Sequence, residues 1–245
     1  MQNLMSRMRA AMEKYNMIEE GDVIAVGVSG GKDSLALLYA LAEMRRFYPV
    51  KYDVKAITAD MRFFGEKTDF SEITALCENL GIEHIIRETE LYHIIFETRK
   101  EKNPCSLCAK MRKGALYTAA KELGCNKAAF AHHADDAIET LLLSLFFEGK
   151  MRTFLPVTYL SRMDITLIRP LIYLPEQDVI NAVAKNDIPI AKSPCPANGN
   201  TKREVIKNLV KDLRKINPDI KKSLFAAIKN KDNYLLWDKS GQNNE

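Results

Sequence analysis

Asp22-Val-Ile-Ala-Val-Gly-Val-Ser-Gly-Gly-Lys-Asp-Ser34 decides the reading of this chain. Residues 22–28 are a short apolar run rich in Val and Ile, the pattern of a strand buried on both faces. The run ends on Ser29-Gly30-Gly31. From Ser34 to Phe47 the apolar period changes to that of a helix, with Leu35, Leu38, Leu41 and Ala42 along one face and Pro49 as the stop. Glycines at such a turn allow positive φ and let backbone N–H groups converge on an anion at the positive end of the helix dipole. Lys32 and the hydroxyls of Ser29 and Ser34 add donors. The turn is not a Walker A loop: from Gly27 the spacing to Gly31-Lys32 is one residue short, and Asp33 stands where Ser or Thr should hold magnesium. Nor is it Gly-x-Gly-x-x-Gly. An acid inside a phosphate-binding turn is repulsive unless a cation bridges it to the phosphates, so Asp33 points to Mg2+.

Working outward, the same alternation repeats. A helical lead-in occupies residues 1–20, with Met5, Met8, Ala11 and Met12 at helical spacing. Strands are expected at Tyr52–Thr58, Glu83–Arg87, Ala128–His132 and Thr166–Arg169, and helices at Thr68–Leu80, Ser106–Leu123, Asp135–Glu148 and Pro175–Asn186. Strand–helix alternation of this kind predicts an α/β fold, a mostly parallel five-stranded sheet with helices on both faces. Ligands bind such sheets beyond the carboxyl ends of the strands, so those ends hold the candidate site. We expect a lead-in over 1–20, an α/β domain carrying the Ser29–Ser34 turn over 21–190, and a basic helical C-terminal region over 191–245. At 245 residues and 47% apolar, the chain fits one such domain with an appendage and is neither disordered nor fibrous. No apolar run is long enough for a membrane span, and residues 1–22 show no cleavable leader, so no membrane partner is expected. Five cysteines are an odd number and too sparse for a disulfide-stapled secreted fold, which points to a reducing, cytoplasmic setting.

The cysteines are unevenly placed. Cys105 and Cys108 form a Cys-x-x-Cys at the start of a helix, where the dipole and the nearby Lys110 and Arg112 favour thiolates. Zinc, a redox disulfide and an iron–sulfur cluster all use that spacing. Cys195 lies in a turn-rich Ser-Pro-Cys-Pro, whereas Cys77 and Cys125 read as core. A closed zinc site needs four ligands. Three good thiolates without an obvious fourth suit a [4Fe-4S] cluster with one iron left open. At the fourth strand end, His132 and His133 precede Asp135, Asp136 and Glu139. Acids suit a helix N-terminus, but that does not account for the paired histidines.

The net charge of +4 conceals an asymmetry. Thr201–Lys231 holds ten basic and three acidic residues, a net +7, leaving −3 for the remainder. A second basic cluster, Arg99, Lys100, Lys102, Lys110, Arg112 and Lys113 against Glu101, brackets the Cys-x-x-Cys. Together they predict a polyanionic partner.

Ser29–Ser34, directly after a strand, resembles the signature of the ATP-pyrophosphatase (PP-loop) superfamily. The order SGGKDS, Cys-x-x-Cys opening a Met-Arg-Lys helix, His-His-x-Asp-Asp with Glu139-Thr140, Ile168-Arg-Pro-Leu171 and a lone late cysteine resembles the tRNA 2-thiocytidine synthetase family over about residues 20–210. Ala131 and Ala134 stand where that family's second motif has Gly and a basic residue. The resemblance implies that Val28, Ser29, Gly30, Gly31, Lys32, Asp33 and Ser34 hold the pyrophosphate of ATP. It implies that Ala59, Asp60, His132 and His133 complete the nucleotide site, and that Cys105, Cys108 and Cys195 ligate the cluster. Asp33, Asp135, Asp136 and Lys113 join the three cysteines in the catalytic set, with Mg2+ at Asp33. The implied reaction adenylates O2 of an anticodon-loop cytidine and replaces it by sulfur, in a homodimer supplied by a cysteine desulfurase or by sulfide. The alternatives are a PP-loop ligase transferring an amine, as in lysidine synthesis, and a cluster-free persulfide thiolase.

Overall fold

A computed structural model describes residues 1–101, 104–191, 194–196 and 201–230. Lys102, Ser193 and Lys231, named above, lie outside them. The described residues carry strands β1 (Asp22–Gly27), β2 (Tyr52–Asp60), β3 (Glu83–Glu88), β4 (Lys127–Ala129), β5 (Val157–Leu160) and β6 (Ile165–Ile168). The helices are α1 (Gln2–Lys14), α2 (Lys32–Met44), α3 (Ser71–Asn79), α4 (Pro104–Glu122), α5 (Ala134–Glu148), α6 (Glu176–Lys185), α7 (Lys202–Ile216) and α8 (Ile220–Lys229). A 3-10 turn at Phe63–Gly65 and a π-helical segment at His93–Thr98 flank β3.

The strands form one sheet in the order β3-β2-β1-β4-β6-β5, parallel except for the β5–β6 pair. The α/β architecture is therefore as expected, with one correction: the sheet has six strands, not five. β5 escapes a pattern search because it is a four-residue edge strand, half-exposed, with Tyr159 turned to solvent. β4 also stops at Ala129, so His132 and His133 stand in the connection beyond it rather than at a strand end.

Both faces of the sheet are covered. Ala25, Ile57, Ala128 and Leu167 pack with Leu116, Ala119 and Ala120 of α4. Their alternate neighbours Ile24, Val26, Ala56, Ala129 and Ile168 face the other way and are equally buried, on the side of α2. α2 is buried almost all round, wedged among β1, β2, α1 and α6, which explains why its sequence is nearly uniformly apolar rather than striped. In α1 the buried set is Leu4, Met8, Ala11 and Met12, with Leu4 in place of the expected Met5. At the amino ends of the strands, buried Lys127 pairs with Asp22 at 2.7 Å and donates to the Met17 carbonyl at 3.0 Å, a structural lock remote from the site.

Residues 1–134 and 155–200 make one compact unit; 135–154 with 201 onward make a second. The second has its own core, in which Ile138 and Leu142 of α5 meet Ile206 and Val210 of α7, with Leu224, Phe225 and Ile228 of α8 against them. Thr201 caps α7 by accepting from the Glu204 N–H at 3.3 Å. No helix among the described residues is long and apolar enough to cross a membrane.

Candidate active site

In the first unit the strand order reverses at β1, which has β2 on one side and β4 on the other. The crevice beyond the carboxyl ends at this point is where such sheets bind ligands. The Ser29–Ser34 turn lies there. Val28 is buried and donates to the Ile57 carbonyl at 2.8 Å, fixing the start of the turn. Ser34 Oγ donates to the Gly31 carbonyl at 2.9 Å and accepts from the Ser29 N–H at 3.1 Å, closing the turn on itself. Gly31 caps α2 without a side-chain cap, so the first N–H groups of a buried helix point outward, available to an anion. Gly30 sits at φ +81°, and a Cβ there would lie 2.9 Å from Ala191 Cβ. The Gly30 carbonyl also accepts from the Ala191 N–H at 3.0 Å. Ala191 is thus laid directly on the Gly30 turn.

Lys32 Nζ contacts the Asp33 carboxylate at 2.9 and 3.1 Å and Glu176 Oε1 at 3.0 Å. Burial works against the ammonium, but the hydrogen bonds to the two carboxylates outweigh it and its pKa is raised. His133, buried, brings Nε2 to 3.9 Å from Asp33 Oδ1, and His132 lies beside the Phe130 ring with centroids 5.9 Å apart. Sequence reasoning missed Glu176. An acid in the first turn of α6 looks like ordinary dipole compensation, and its partnership with Lys32 spans 144 positions.

Next to this turn is a cavity of about 280 Å3, and the three cysteines singled out by sequence meet in it. Cys105, Cys108 and Cys195 line it with Ser29, Thr58, Ala59, Met61, Phe63, Thr68, Phe70 and Arg112. The Cys-x-x-Cys helix is seated on a cluster of Met61, Leu91 and Ile95, against which Cys108 itself packs. Burial pushes the Cys108 thiol up, with Arg112 opposing, so the helix start and nearby cations do not by themselves ionise it as expected. Among the described residues no three His, Cys, Asp or Glu side chains are gathered tightly enough for a single metal ion. Cys77 and Cys125 are core residues, as expected; burial drives Cys77 up to about 11.

Asp60 is placed differently from the sequence reading. Its buried carboxylate accepts from Arg62 N–H at 3.0 Å, Thr68 N–H at 3.2 Å and Thr68 Oγ1 at 2.8 Å. It organises the 61–70 loop, while Thr58 and Ala59 reach the cavity. Thr58 Oγ1 is 2.9 Å from Nε2 of His84, whose pKa burial lowers, and Thr74 holds the other ring nitrogen at 2.9 Å. Lys113 stands 5.7 Å from the Phe130 ring; its neighbour Arg112 is the basic residue lining the cavity.

In the second unit the acids at the start of α5 meet cations of α7 and α8. Arg203 contacts Asp136 and Glu139, each at 2.9 Å, and Lys221 pairs with Asp135. With Lys207 Nζ 3.9 Å from Glu139 Oε1, three charges of the +7 tail are engaged within the protein. Burial pushes Glu139 up to about 7, against the pull of Arg203 and Lys207. A carboxyl whose folded pKa lies above its unfolded value of about 4.5 holds a proton that unfolding releases, so its stabilising effect is lost as pH rises from about 4.5 through 7. Glu139→Gln should flatten this dependence. The melting-temperature difference between variant and parent, measured from pH 5 to 8, should shift in the variant's favour as pH rises; a pH-independent difference would contradict it.

Comparison with known proteins follows the same lines. A family model described as a PP-loop domain matches residues 2–213. A tRNA-cytidine(32) 2-sulfurtransferase of Geobacter metallireducens is 42% identical over 223 residues, covering 90% of this chain and 86% of that protein. The protein of that name from Geotalea uraniireducens is 42% identical over 235 residues, covering 94% and 92%. Among solved structures, the U34-tRNA thiolase NcsA from Methanococcus maripaludis with its [4Fe-4S] cluster superposes with a TM-score of 0.71. It is 25% identical and covers 92% of this chain and 77% of its own.

Proposed function

This chain belongs to the PP-loop domain family and, within it, to the tRNA-cytidine(32) 2-sulfurtransferases, and from that premise we propose that it thiolates cytidine in a tRNA anticodon loop at the expense of ATP. The observation that carries the reading is the single cavity shared by Ser29 of the anion-binding turn and the three thiols. A base placed there lies between the nucleotide that activates it and the sulfur that attacks it.

ATP would place its departing pyrophosphate on the N–H groups of the α2 N-terminus, with Lys32 as the counter-charge. Asp33, an acid set in the turn beside Lys32, would be the carboxylate that holds Mg2+ against the phosphates. O2 of the base attacks the α-phosphorus and the α–β phosphoanhydride bond breaks, leaving an O-adenylated ring and pyrophosphate. A sulfur nucleophile then bonds to C2, the C–O bond breaks and AMP departs. Three thiols around one cavity, none of them paired in a disulfide, fit a [4Fe-4S] cluster held by Cys105, Cys108 and Cys195. When bound, such a cluster would supply the sulfur nucleophile. The chain's own residues exclude water from the apolar wall of Met61, Phe63 and Phe70 and keep the cysteine arm registered on Gly30.

The test is anaerobic reconstitution with iron and sulfide, followed by incubation with tRNA, ATP and Mg2+. Nucleoside mass spectrometry should find 2-thiocytidine, with AMP and pyrophosphate in equal yield. An amine adduct instead of sulfur would favour ligase chemistry; thiolation by iron-free, colourless protein would favour the persulfide route and sink the cluster.

A further inference from the structure

Building on the thiolase reading, we propose that Thr68 reads the exocyclic position of the target base and selects cytidine over uridine. Of the four residues that the 61–70 loop gives to the cavity, Met61, Phe63 and Phe70 are apolar and Thr68 alone carries a hydrogen-bonding side chain. Two aromatic rings and one polar group on the same wall suit the flat face and one edge of a base.

The direction of that hydrogen bond is fixed. Thr68 Oγ1 donates to Asp60 Oδ1 at 2.8 Å, and the Thr68 N–H donates to Asp60 Oδ2 at 3.2 Å. Asp60 is 2% exposed and is further held by the Arg62 N–H. A carboxylate only accepts, so the single hydroxyl proton is committed to it and the cavity meets only lone pairs of Thr68. Rotating the hydroxyl to donate into the cavity would cost a buried carboxylate oxygen one of its two donors, leaving it only the Arg62 N–H. An acceptor matches the N4 amino group of cytosine and opposes the O4 carbonyl of uracil. Selectivity arises from the attraction and the repulsion together.

The experiment compares two anticodon stem-loop RNAs that differ only in C or U at the modified position. The full chain is loaded as above, and the readout is the ratio of their kcat/KM values. The parent should prefer C. Thr68→Val, with the same shape but no oxygen, should lower the ratio on the order of tenfold through loss on cytidine; Thr68→Ser should restore it. Asp60→Asn, whose amide can donate to Thr68 and free its hydroxyl proton, should lower the same ratio. A ratio unchanged in Thr68→Val and Asp60→Asn, with both substrates falling together, would overturn the assignment and leave the loop a purely structural wall. A parent that thiolates neither RNA would overturn the thiolase reading and this inference with it, an outcome distinguished by the missing parent activity.

Discussion

Exchanging Asp33 for asparagine is expected to slow ATP-dependent pyrophosphate release by ~100-fold or more while changing global stability by no more than about 0.5 kcal/mol. The side chain is about one-third exposed, in a turn whose hydrogen bonds run through Ser29, Gly31 and Ser34 rather than through its carboxylate. Little of the fold therefore rests on it. Its charge is another matter. The turn gathers N–H donors and an ammonium for an anion, and Asp33 sets a negative charge among them. With no cation between it and the phosphates, that charge repels the substrate. With Mg2+ it anchors the ion that neutralises the oxygens of the breaking anhydride. The two cases separate by titration. In the parent, release should climb steeply with Mg2+ and ATP should bind poorly without it. In Asp33→Asn, ATP binding without the metal should be equal or tighter, while Mg2+ restores little turnover. A variant with the parent's Mg2+ dependence would remove Asp33 from the metal's coordination and leave only its pairing with Lys32.

These effects sit where sequence and structure agree best, for a local reason. Strand, turn and helix over residues 22–47 are contiguous, so their periodicity, glycines and donors can be read from one stretch of chain. The three cysteines stand out in the sequence because their spacing and proline-flanked settings differ from those of Cys77, inside a helix, and Cys125, just past a helix-ending glycine. What stayed illegible depends on contacts between distant residues. Glu176 meets Lys32 across 144 positions, and the Asp60 carboxylate is taken up by its own loop because Thr68, eight residues on, folds back over it. Part of the basic tail is paired within the protein for the same reason: Arg203, Lys207 and Lys221 read as solvated positive charge until α7 and α8 bring them to the acids of α5. β5 was lost because an exposed edge strand need not alternate.

Replacing Cys195 by serine should separate the two halves of the proposed reaction. Cys195 is half-buried and shares the cavity of Cys105 and Cys108, and Ala191, four residues earlier, is hydrogen-bonded to Gly30. Ala191 is therefore held by the turn and not by the thiol, and the serine variant should keep its fold and its ATP site. Serine offers a hydroxyl that is a far poorer ligand for iron than a thiolate. Loss of an outer-shell partner already costs about 10- to 100-fold in metal affinity, so loss of a direct ligand among three should exceed that. The reconstituted variant should be nearly iron-free, lack the broad visible absorbance of the parent, and form 2-thiocytidine at least ~100-fold more slowly. Pyrophosphate release in the presence of tRNA should persist within about tenfold, because the adenylation chemistry draws on Ser29–Ser34 and not on sulfur. Cys125→Ala, which alters a buried thiol in the sheet core, should retain iron and activity and so controls for thiol loss in general. If Cys195→Ser still loads iron and thiolates, Cys195 is no cluster ligand. If it loses thiolation while the parent itself proves iron-free, the cysteines work as a persulfide pair. Iron lost together with pyrophosphate release would mean that the cluster also builds the nucleotide site, through the same Gly30–Ala191 contact that carries the arm.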